Sequence, residues 1–482
     1  MTTHRPAVGG FGHYSEQVGT AVDTWLASDR PDALQATSDW QRLLAGPAPE
    51  DGIGAEATVQ EFIDLLLPGG SRMTSPTSWG WITTGPTTIP TVIASATALA
   101  APQRYTLTAF NRLEELSLEW LGALCGLGEH MKGVYSSGGS TANLVALGAA
   151  RQWTLEQSGM DPAADGLDGP RLALYTSTQA HHTVQRSAAV LGIGRDNVRA
   201  IPTDDRQRLD LRALEAALTA DRDAGVLPVA VIAAAGTTNT GAIDPIRGAG
   251  ELAHSFGAWY HVDGAYGLPG ILDERVAPLY DGLDLADSAI TDPHKWLGAP
   301  VGIAATFVRD RAILHRAFTQ EPADYLEGAF ADDDAQASLD AMGIPYFDFA
   351  VELSAPPRGV QVWSILREIG VKGLRQRVVD DNDFARQVAA RAHANPRLEV
   401  LAEPVLSICG FRYRTDAERD WDAVNRSILR RLARQTEFVV SSTVIDGRFM
   451  LRPCFINART SSSDVDRFVD TVLQFGDELV RT

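Results

Sequence analysis

The middle of the chain alternates short apolar runs with stretches of helical periodicity. The apolar runs cover residues 172–175, 229–233, 259–262, 289–291 and 303–308. Between some of these runs, residues 212–219 and 248–256 place apolar side chains at helical spacing. The alternation predicts an α/β fold in which helices cover a mostly parallel sheet.

The two ends of the chain have a different pattern. Near the N-terminus, apolar positions at 21–26 and 59–67 predict two helices, which are too few to bury their apolar faces alone. From about residue 361, helical stretches precede strand-like runs, which predicts a smaller α+β domain. The predicted organisation is an N-terminal helical segment over 1–85 that packs on a partner subunit, a large domain over 86–360 and a small domain over 361–482.

The composition of the 482 residues, with 45% hydrophobic and 21% charged residues, is that of an ordinary globular protein. No apolar run is long enough to span a bilayer, and the N-terminus lacks the layout of a signal peptide. Three widely spaced cysteines indicate a reducing compartment. A net charge of −19 argues against nucleic acid or an anionic membrane as the main partner. These features predict a cytoplasmic, multi-domain enzyme.

Polar side chains follow four of the predicted strands. His181 follows the first run, Thr237 and Thr238 the second, Asp263 the third and Lys295 the fourth. Because ligands of parallel α/β sheets bind beyond the carboxyl ends of the strands, we expect these side chains to converge on one site.

Lys295 has the chemistry of a covalent attachment point. The chain holds only three lysines, Lys132, Lys295 and Lys372, and arginine serves almost everywhere else as the cation. A primary amine can lose its proton and condense with an aldehyde, whereas a guanidinium does neither. The alternative is that Lys295 merely ends a strand.

The segment 133–150 predicts an anion site. Gly138 and Gly139 lead into an Ala/Leu-rich helix that begins near Ser140 or Thr141, and free N–H groups at a helix start bind anions. The pattern is neither the Walker motif nor the dinucleotide fingerprint, so it fits a single phosphate group. Taken alone, it would be an ordinary helix cap.

Asp263 ends a buried strand and needs a partner, because an unpaired buried carboxylate is costly. A metal is one candidate, for which His181, His182, His261 and His294 could supply further ligands, but no local ligand spacing supports it. A protonated heterocycle nitrogen is the favoured partner.

Five motifs in order carry a family resemblance. They are Ser137–Asn143, Gln179–Val184, Ala235–Gly241, His261–Tyr266 and Asp292–Trp296. Over roughly residues 60–480 the chain resembles the group II pyridoxal-phosphate decarboxylases of aromatic amino acids, histidine and glutamate. The resemblance implies fold type I (aspartate aminotransferase-like) with a seven-stranded sheet, pyridoxal 5'-phosphate as cofactor, and a homodimer with the active site near its interface.

The resemblance also implies roles for individual residues. Lys295 would carry the cofactor, Asp263 would keep the pyridine nitrogen protonated, His181 would stack on the ring, and Ala265 would pack beneath it. The expected cofactor-binding residues are Gly138, Gly139, Ser140, His181, Thr238, Asp263, Ala265, Ser288, His294 and Lys295. The expected catalytic residues are Lys295, His181 and Tyr346, and no metal is expected.

Tyr346 is predicted as the general acid by counting back from Trp363, which resembles a family Leu-Trp position. The stretch 322–355 matches the family's active-site loop, in which Tyr325 is a rival. The family's Arg-Arg pair is Ala355-Pro356 here, and the lysine before Leu-Trp is Gln361. Because of these departures, the resemblance does not predict the geometry of this loop.

The expected reaction is decarboxylation of an L-amino acid to an amine and CO₂. Trp79, Trp81 and Thr84 are predicted substrate residues, and the tryptophans suggest an apolar or aromatic side chain. Decarboxylation coupled to oxidative deamination, with an aldehyde as product, is the alternative. A catalytically inactive relative is disfavoured because Lys295, Asp263 and the phosphate segment are all present. A transaminase is disfavoured by His181 and the His-Lys-Trp motif.

Overall fold

A computed structural model describes residues 10–27, 45–71, 73–83, 85–101, 108–319, 343–416 and 419–481. Its N-terminal part holds helices α1 (Phe11–Ala27) and α2 (Ala55–Glu61), the latter continuing as a π turn over Phe62–Leu66. No residue of α1 or α2 is buried. The predicted helices are therefore present, and the described chain leaves all of their side chains at least partly exposed.

The large domain is built on a seven-stranded sheet. Its strands are β2 (Lys132–Ser136), β3 (Leu172–Ser177), β4 (Val198–Ile201), β5 (Leu227–Ala234), β6 (Trp259–Asp263), β7 (Ser288–Thr291) and β8 (Ala304–Val308), in the spatial order β2-β8-β7-β6-β5-β3-β4. The strands in the series β7-β6-β5-β3-β4 are all parallel to their neighbours. Strand β8 is antiparallel to both β7 and β2. The prediction of a mostly parallel sheet is confirmed, although β2 and β4 were not predicted.

Helices join these strands and cover the sheet. They are α3 (Thr88–Ala100), α4 (Thr108–Leu124), α5 (Gly139–Glu156), α6 (Thr183–Val190), α7 (Leu211–Asp223), α8 (Ile246–Ser255) and α9 (Ala312–Phe318). The start of α7 follows directly from its sequence, because the Asp210 carboxylate accepts hydrogen bonds from the N–H groups of Arg212 and Ala213. The strands carry continuous apolar runs because helices shield both faces.

A five-stranded sheet forms the small domain. It contains β1 (Ser78–Trp79), β9 (Leu398–Ala402), β10 (Gly410–Tyr413), β11 (Val439–Ile445) and β12 (Arg448–Arg452), in the order β1-β11-β12-β10-β9. Helices α11 (Trp421–Gln435) and α12 (Ser462–Arg481) belong to the same region, with their apolar faces in its core. Strand β1 comes from the N-terminal part of the chain, so residues 78–79 are paired with a sheet far away in sequence.

One long helix, α10 (Gly359–His393), bridges the two regions. It packs against α3 and α4 of the large domain and against α12 and β9 of the small domain. The sequence predicted two helices here, and α10 does consist of two helical segments that meet at Gly370, whose φ of 65° interrupts the helical backbone; the second segment begins earlier than predicted.

Candidate active site

A cavity of about 600 Å³ lies at the carboxyl ends of the parallel strands. Its walls include residues that follow β3, β5, β6 and β7 and the start of α5. Ten of the predicted site residues line this cavity: Trp81, Gly138, Gly139, Ser140, His181, Thr238, Asp263, Ala265, His294 and Lys295. The expected convergence at one sheet edge therefore occurs.

Lys295 is paired with a carboxylate that was not predicted. Its Nζ lies 3.0 Å from Asp292 Oδ2, within the turn that follows β7. The Asp292 side chain is buried, and among the described residues its Oδ1 has no hydrogen-bond partner. His294 is held separately, with Nδ1 2.6 Å from the Ile303 carbonyl oxygen. Asp292 begins the Asp292–Trp296 motif, but its contact with Lys295 depends on the fold of the turn and could not be predicted from the sequence.

The start of α5 requires glycine at two successive positions, for different reasons. Gly138 has a φ of 151°, which side chains other than hydrogen disfavour. A Cβ built on Gly139 would lie 2.6 Å from Asp292 Oδ2. Because the first N–H groups of a helix have no partner within it, this bare backbone suits a phosphate group.

Asp263 is oriented by two hydrogen bonds. Its Oδ2 accepts from Asn143 Nδ2 at 3.2 Å, and its Oδ1 accepts from the Ala265 N–H at 3.2 Å. The carboxylate thus lines the cavity in a fixed orientation and can hold a proton on a heterocycle nitrogen. Asn143 ends the Ser137–Asn143 motif, but the sequence alone gave no reason to assign it this contact with Asp263.

His181 lies in the same wall, with its ring centroid 4.1 Å from that of His182 and the two ring planes tilted by 33°. Its Nδ1 lies 3.0 Å from Thr183 Oγ1 and accepts from the Thr183 N–H at 3.3 Å. Burial lowers the pKa of His181, an effect that the nearby Asp263 charge opposes. The imidazole is therefore neutral near pH 7, with one N–H that can donate a hydrogen bond.

The prediction that Ser288 binds the cofactor is wrong. It is fully buried in β7 and is not part of the cavity wall. Its Oγ lies 2.8 Å from His261 Nδ1 and accepts from Trp259 Nε1 at 2.8 Å. The position along the strand explains the error, because Ser288 is the first residue of β7 and the cavity lies beyond the carboxyl end of that strand.

The two predicted substrate tryptophans have opposite environments. Trp79 is only 1% exposed and packs on Phe438, Phe455 and Phe468 in the small-domain core, with Nε1 donating to Thr460 Oγ1 at 2.9 Å. Its prediction as a substrate residue is wrong, because β1 pairing turns the side chain into that core. Trp81, 54% exposed, lines the cavity. Thr84 lies outside the described residues.

Tyr346 is held away from the cavity. It is 1% exposed, its hydroxyl donates to the Glu115 carboxylate, and the Arg311 guanidinium lies 5.4 Å from its ring centre. Burial, reinforced by the Glu115 charge, raises the pKa of Tyr346 well above its ordinary range. In this geometry Tyr346 is not the proton donor of the cavity that the resemblance implied. Its rival, Tyr325, lies outside the described residues.

Arg452 of β12 completes the wall from the small domain. Its Nη1 donates to the Thr238 carbonyl oxygen at 3.1 Å and its Nη2 to the Gly80 carbonyl oxygen at 3.2 Å. Arg452 therefore ties the segment before Trp81 to the loop after β5. Sequence alone could not assign this role, because the three positions are hundreds of residues apart.

The residues present fit pyridoxal phosphate. A primary amine, an oriented carboxylate, a histidine ring and a bare helix start line a single cavity, and a side chain at Gly139 would collide with Asp292. Within the described ranges, no group of three or more His, Cys, Asp or Glu side chains is arranged to hold a metal. The sheet order and this site define a pyridoxal-phosphate enzyme of fold type I.

Comparison with known proteins identifies the family. The pyridoxal-dependent decarboxylase conserved domain matches residues 61–414, and the chain belongs to this family. It is 30% identical over 372 residues to an aromatic-L-amino-acid decarboxylase of Bacillus atrophaeus, covering 77% of this chain and 74% of the relative. It is 26% identical over 430 residues to phenylacetaldehyde synthase of Arabidopsis thaliana, covering 86% of this chain and 85% of the relative.

A solved structure agrees over nearly the whole length. The crystal structure of Oryza sativa TDC with PLP and tryptamine superposes with a TM-score of 0.86 at 26% identity, covering 99% of this chain and 100% of that one. The protein is thus a pyridoxal-phosphate-dependent enzyme of the carboxy-lyase type that decarboxylates an amino acid.

Proposed function

We propose that the protein decarboxylates an aromatic L-amino acid to the corresponding amine and CO₂. The observation that carries the choice of substrate is Trp81, whose exposed indole lines the same cavity as Lys295, Asp263 and His181. An aromatic side chain gains both burial and ring contacts against such a surface. Relatives named for aromatic amino acids support the same class.

The residues of this chain would hold the cofactor in a defined way. Lys295 would carry it, the N–H groups at the start of α5 would bind its phosphate, and the Asp263 carboxylate would face its ring nitrogen. When bound, pyridoxal phosphate supplies an electron sink for the pair left by the departing carboxylate. Asn143 and the Ala265 N–H keep the Asp263 carboxylate from rotating.

His181 is the proposed proton donor to the substrate carbon. It lines the cavity, and its Nδ1 is occupied by Thr183, which leaves Nε2 to carry the transferable proton. A side chain placed in this way contributes roughly 10²- to 10⁴-fold to a proton-transfer step. Because loss of this proton from the neutral ring would leave an imidazolate anion, His181 must take up a proton from solvent in the cavity as it releases the one on Nε2.

A second candidate reaction is decarboxylation with oxidative deamination to an aldehyde. It is favoured by the placement of Tyr346, whose hydroxyl donates to Glu115 and so is not available in the cavity. If protonation of the substrate carbon were slow, O₂ would oxidise the decarboxylated substrate by two electrons, and hydrolysis by water would give the aldehyde, ammonia and hydrogen peroxide. The similarity to a phenylacetaldehyde synthase supports keeping this reaction in the assay.

One assay separates the two reactions. Purified protein supplied with pyridoxal phosphate would be given L-tryptophan, L-tyrosine or L-phenylalanine, with L-glutamate and L-histidine for comparison, while CO₂, amine, aldehyde and peroxide are measured together. We expect CO₂ and amine in equal amounts from the aromatic substrates, and no turnover by Lys295→Ala. Equal amounts of CO₂, aldehyde and peroxide would favour the second reaction, and preference for L-glutamate would refute the proposed substrate class.

We also propose that the enzyme acts as a homodimer. Apolar side chains on α3 (Ile89, Val92 and Leu99) are exposed, as are Trp81 and Val301 at the cavity. Such a surface is costly in water unless a partner covers it. Val92→Arg is expected to shift the mass in analytical ultracentrifugation from dimer to monomer, whereas Val190→Arg, at an exposed valine of α6, is expected to leave it unchanged.

The proposed location is the cytoplasm. The cysteines Cys125, Cys409 and Cys454 are free and buried, as a reducing compartment allows. Within the described part of the chain, no helix combines the length and the apolar character needed to cross a membrane. Fractionation of cells that express the tagged full-length chain tests the location.

A further inference from the structure

A continuous hydrogen-bond network lies behind the wall of the cavity. It connects Trp259 and Ser288 to His261, then Asn143, and from there reaches Asp263, Thr183 and His181. The His261, Ser288, Asn143 and Thr183 side chains are all buried. Buried polar networks of this kind rigidify the groups they join.

The orientation of the Asn143 amide follows from its partners. Its Nδ2 lies 3.2 Å from the Gly139 carbonyl oxygen, 3.2 Å from Asp263 Oδ2 and 3.3 Å from Thr183 Oγ1. A carbonyl and a carboxylate can only accept, so the NH₂ group must face them. The amide oxygen, Oδ1, therefore faces His261 Nε2 at 3.2 Å.

The same reasoning fixes the proton on His261. Because Asn143 Oδ1 only accepts, His261 Nε2 carries the hydrogen. Burial lowers the pKa of His261 to about 4, so the ring is neutral near pH 7 and Nδ1 accepts. Nδ1 accepts from the Ser288 hydroxyl, whose oxygen accepts from Trp259 Nε1. Every donor in this branch has an acceptor, and the Asn143 amide cannot flip without breaking it.

At the other end of the network, Thr183 faces His181. The Thr183 backbone N–H can only donate, and it points at His181 Nδ1. Nδ1 is therefore an acceptor, and the Thr183 hydroxyl donates to it as well. The proton of the neutral ring must then reside on Nε2, which has no hydrogen-bond partner among the described residues and so remains for a group in the cavity.

We propose that this network fixes His181 in the Nε2–H tautomer, with Thr183 as a positioning residue that directs the proton of His181 towards the substrate. The role of that proton rests on the proposed function, whereas the tautomer itself does not. Asn143 joins the carboxylate of Asp263 to the proton donor His181, so one buried amide sets the position of both.

Histidine ¹⁵N resonances of the full-length, pyridoxal-phosphate-loaded protein test the tautomer directly. His181→Gln would identify the His181 signals in long-range ¹H–¹⁵N spectra at pH 7. We expect a protonated Nε2 and an unprotonated Nδ1. A protonated Nδ1, or protonation of both nitrogens, would overturn the proposal, whichever amino acid the enzyme accepts.

Variants at Thr183 test the positioning role. Thr183→Val removes the hydroxyl and keeps the shape of the side chain, so kcat is expected to fall about tenfold with little change in KM, as for the loss of one hydrogen bond. Thr183→Ser keeps the hydroxyl and should restore kcat. Thr176→Val is the matched control, because Thr176 is also a buried threonine of this region and donates to the Ile232 carbonyl oxygen.

The results separate this proposal from the proposed function. A similar loss of kcat in Thr176→Val, or no rescue by Thr183→Ser, would contradict a specific role for Thr183. If the wild type has the expected tautomer but turns over no aromatic amino acid, the proposed substrate class fails and the tautomer stands.

Discussion

The cavity has two sides that are built in different ways. Its inner wall, formed by Asn143, His181, Thr183 and Asp263, is interlocked by hydrogen bonds whose donors and acceptors can be assigned one by one. Its rim, formed by Trp81 and Val301, is apolar, and these side chains are 54% and 70% exposed. The polar groups of the inner wall are thus held in place within one chain, whereas the apolar rim, which we propose contacts the substrate, is left exposed in the same chain.

This difference has a physical basis. Charged and hydrogen-bonding groups must be held in a fixed orientation before they can stabilise a changing charge distribution, and a preformed network achieves this at no cost during the reaction. Apolar contacts are not directional and can form when substrate or a partner subunit covers the rim.

The largest effect is expected from the neighbouring tryptophans. Trp79→Ala removes a side chain from the small-domain core and should lower the free energy of unfolding by about 3–5 kcal/mol, as measured by urea denaturation. Trp81→Ala should leave the stability nearly unchanged and raise KM for an aromatic substrate about tenfold, as for the loss of apolar contact in a pocket. Equal stability losses would contradict the assignment of Trp81 to the rim.

Replacement of the inner-wall carboxylate tests the chemical side alone. Asp263→Asn keeps the shape but removes the charge that would face the ring nitrogen, so kcat is expected to fall about 10²- to 10³-fold, as for the loss of one preorganised electrostatic contact. Asp284→Asn, at an exposed aspartate, is the control and should retain activity. An Asp263→Asn enzyme with normal kcat would show that this carboxylate does not act on the cofactor.

The inner wall should also be sensitive to acid. Burial lowers the pKa of His261 from 6.5 to about 4, so between these values the unfolded chain takes up a proton that the folded chain does not. The wild type should therefore lose up to about 3 kcal/mol of unfolding free energy relative to His261→Asn as the pH falls from about 6.5 to about 4. Urea denaturation at several pH values measures this difference, and a constant difference would mean that His261 titrates normally in the fold.

The smallest effect is expected at Tyr346, which belongs to neither side. Tyr346→Phe removes the hydrogen bond to the Glu115 carboxylate, while the Arg311–Glu115 contact at 2.8 Å remains. The expected loss of unfolding free energy is about 1.5–3 kcal/mol, as for a hydrogen bond to a charged group, with an unchanged ratio of amine to aldehyde. A shift of the product towards aldehyde would instead return Tyr346 to the catalytic role that the resemblance implied.

The sequence by itself determined five of the seven strands of the large-domain sheet and the chemically reactive residues of the cavity. Buried parallel strands need continuous apolar runs, and their carboxyl ends bring polar residues together, so His181, Asp263 and Lys295 could be placed at one edge before any contact was known. The uncommon lysine and the glycine-rich start of α5 marked the chemistry, because few other residues can supply it.

Only the tertiary structure decided which side chains contact one another. Trp79 and Trp81 are two residues apart in a polar loop, yet the pairing of β1 with β11 buries the first and leaves the second at the cavity. The contacts of Asn143 with Asp263, His261 and Thr183 likewise join positions 120, 118 and 40 residues away. Periodicity and motifs depend on local spacing, whereas hydrogen-bond partners and burial are set by long-range packing.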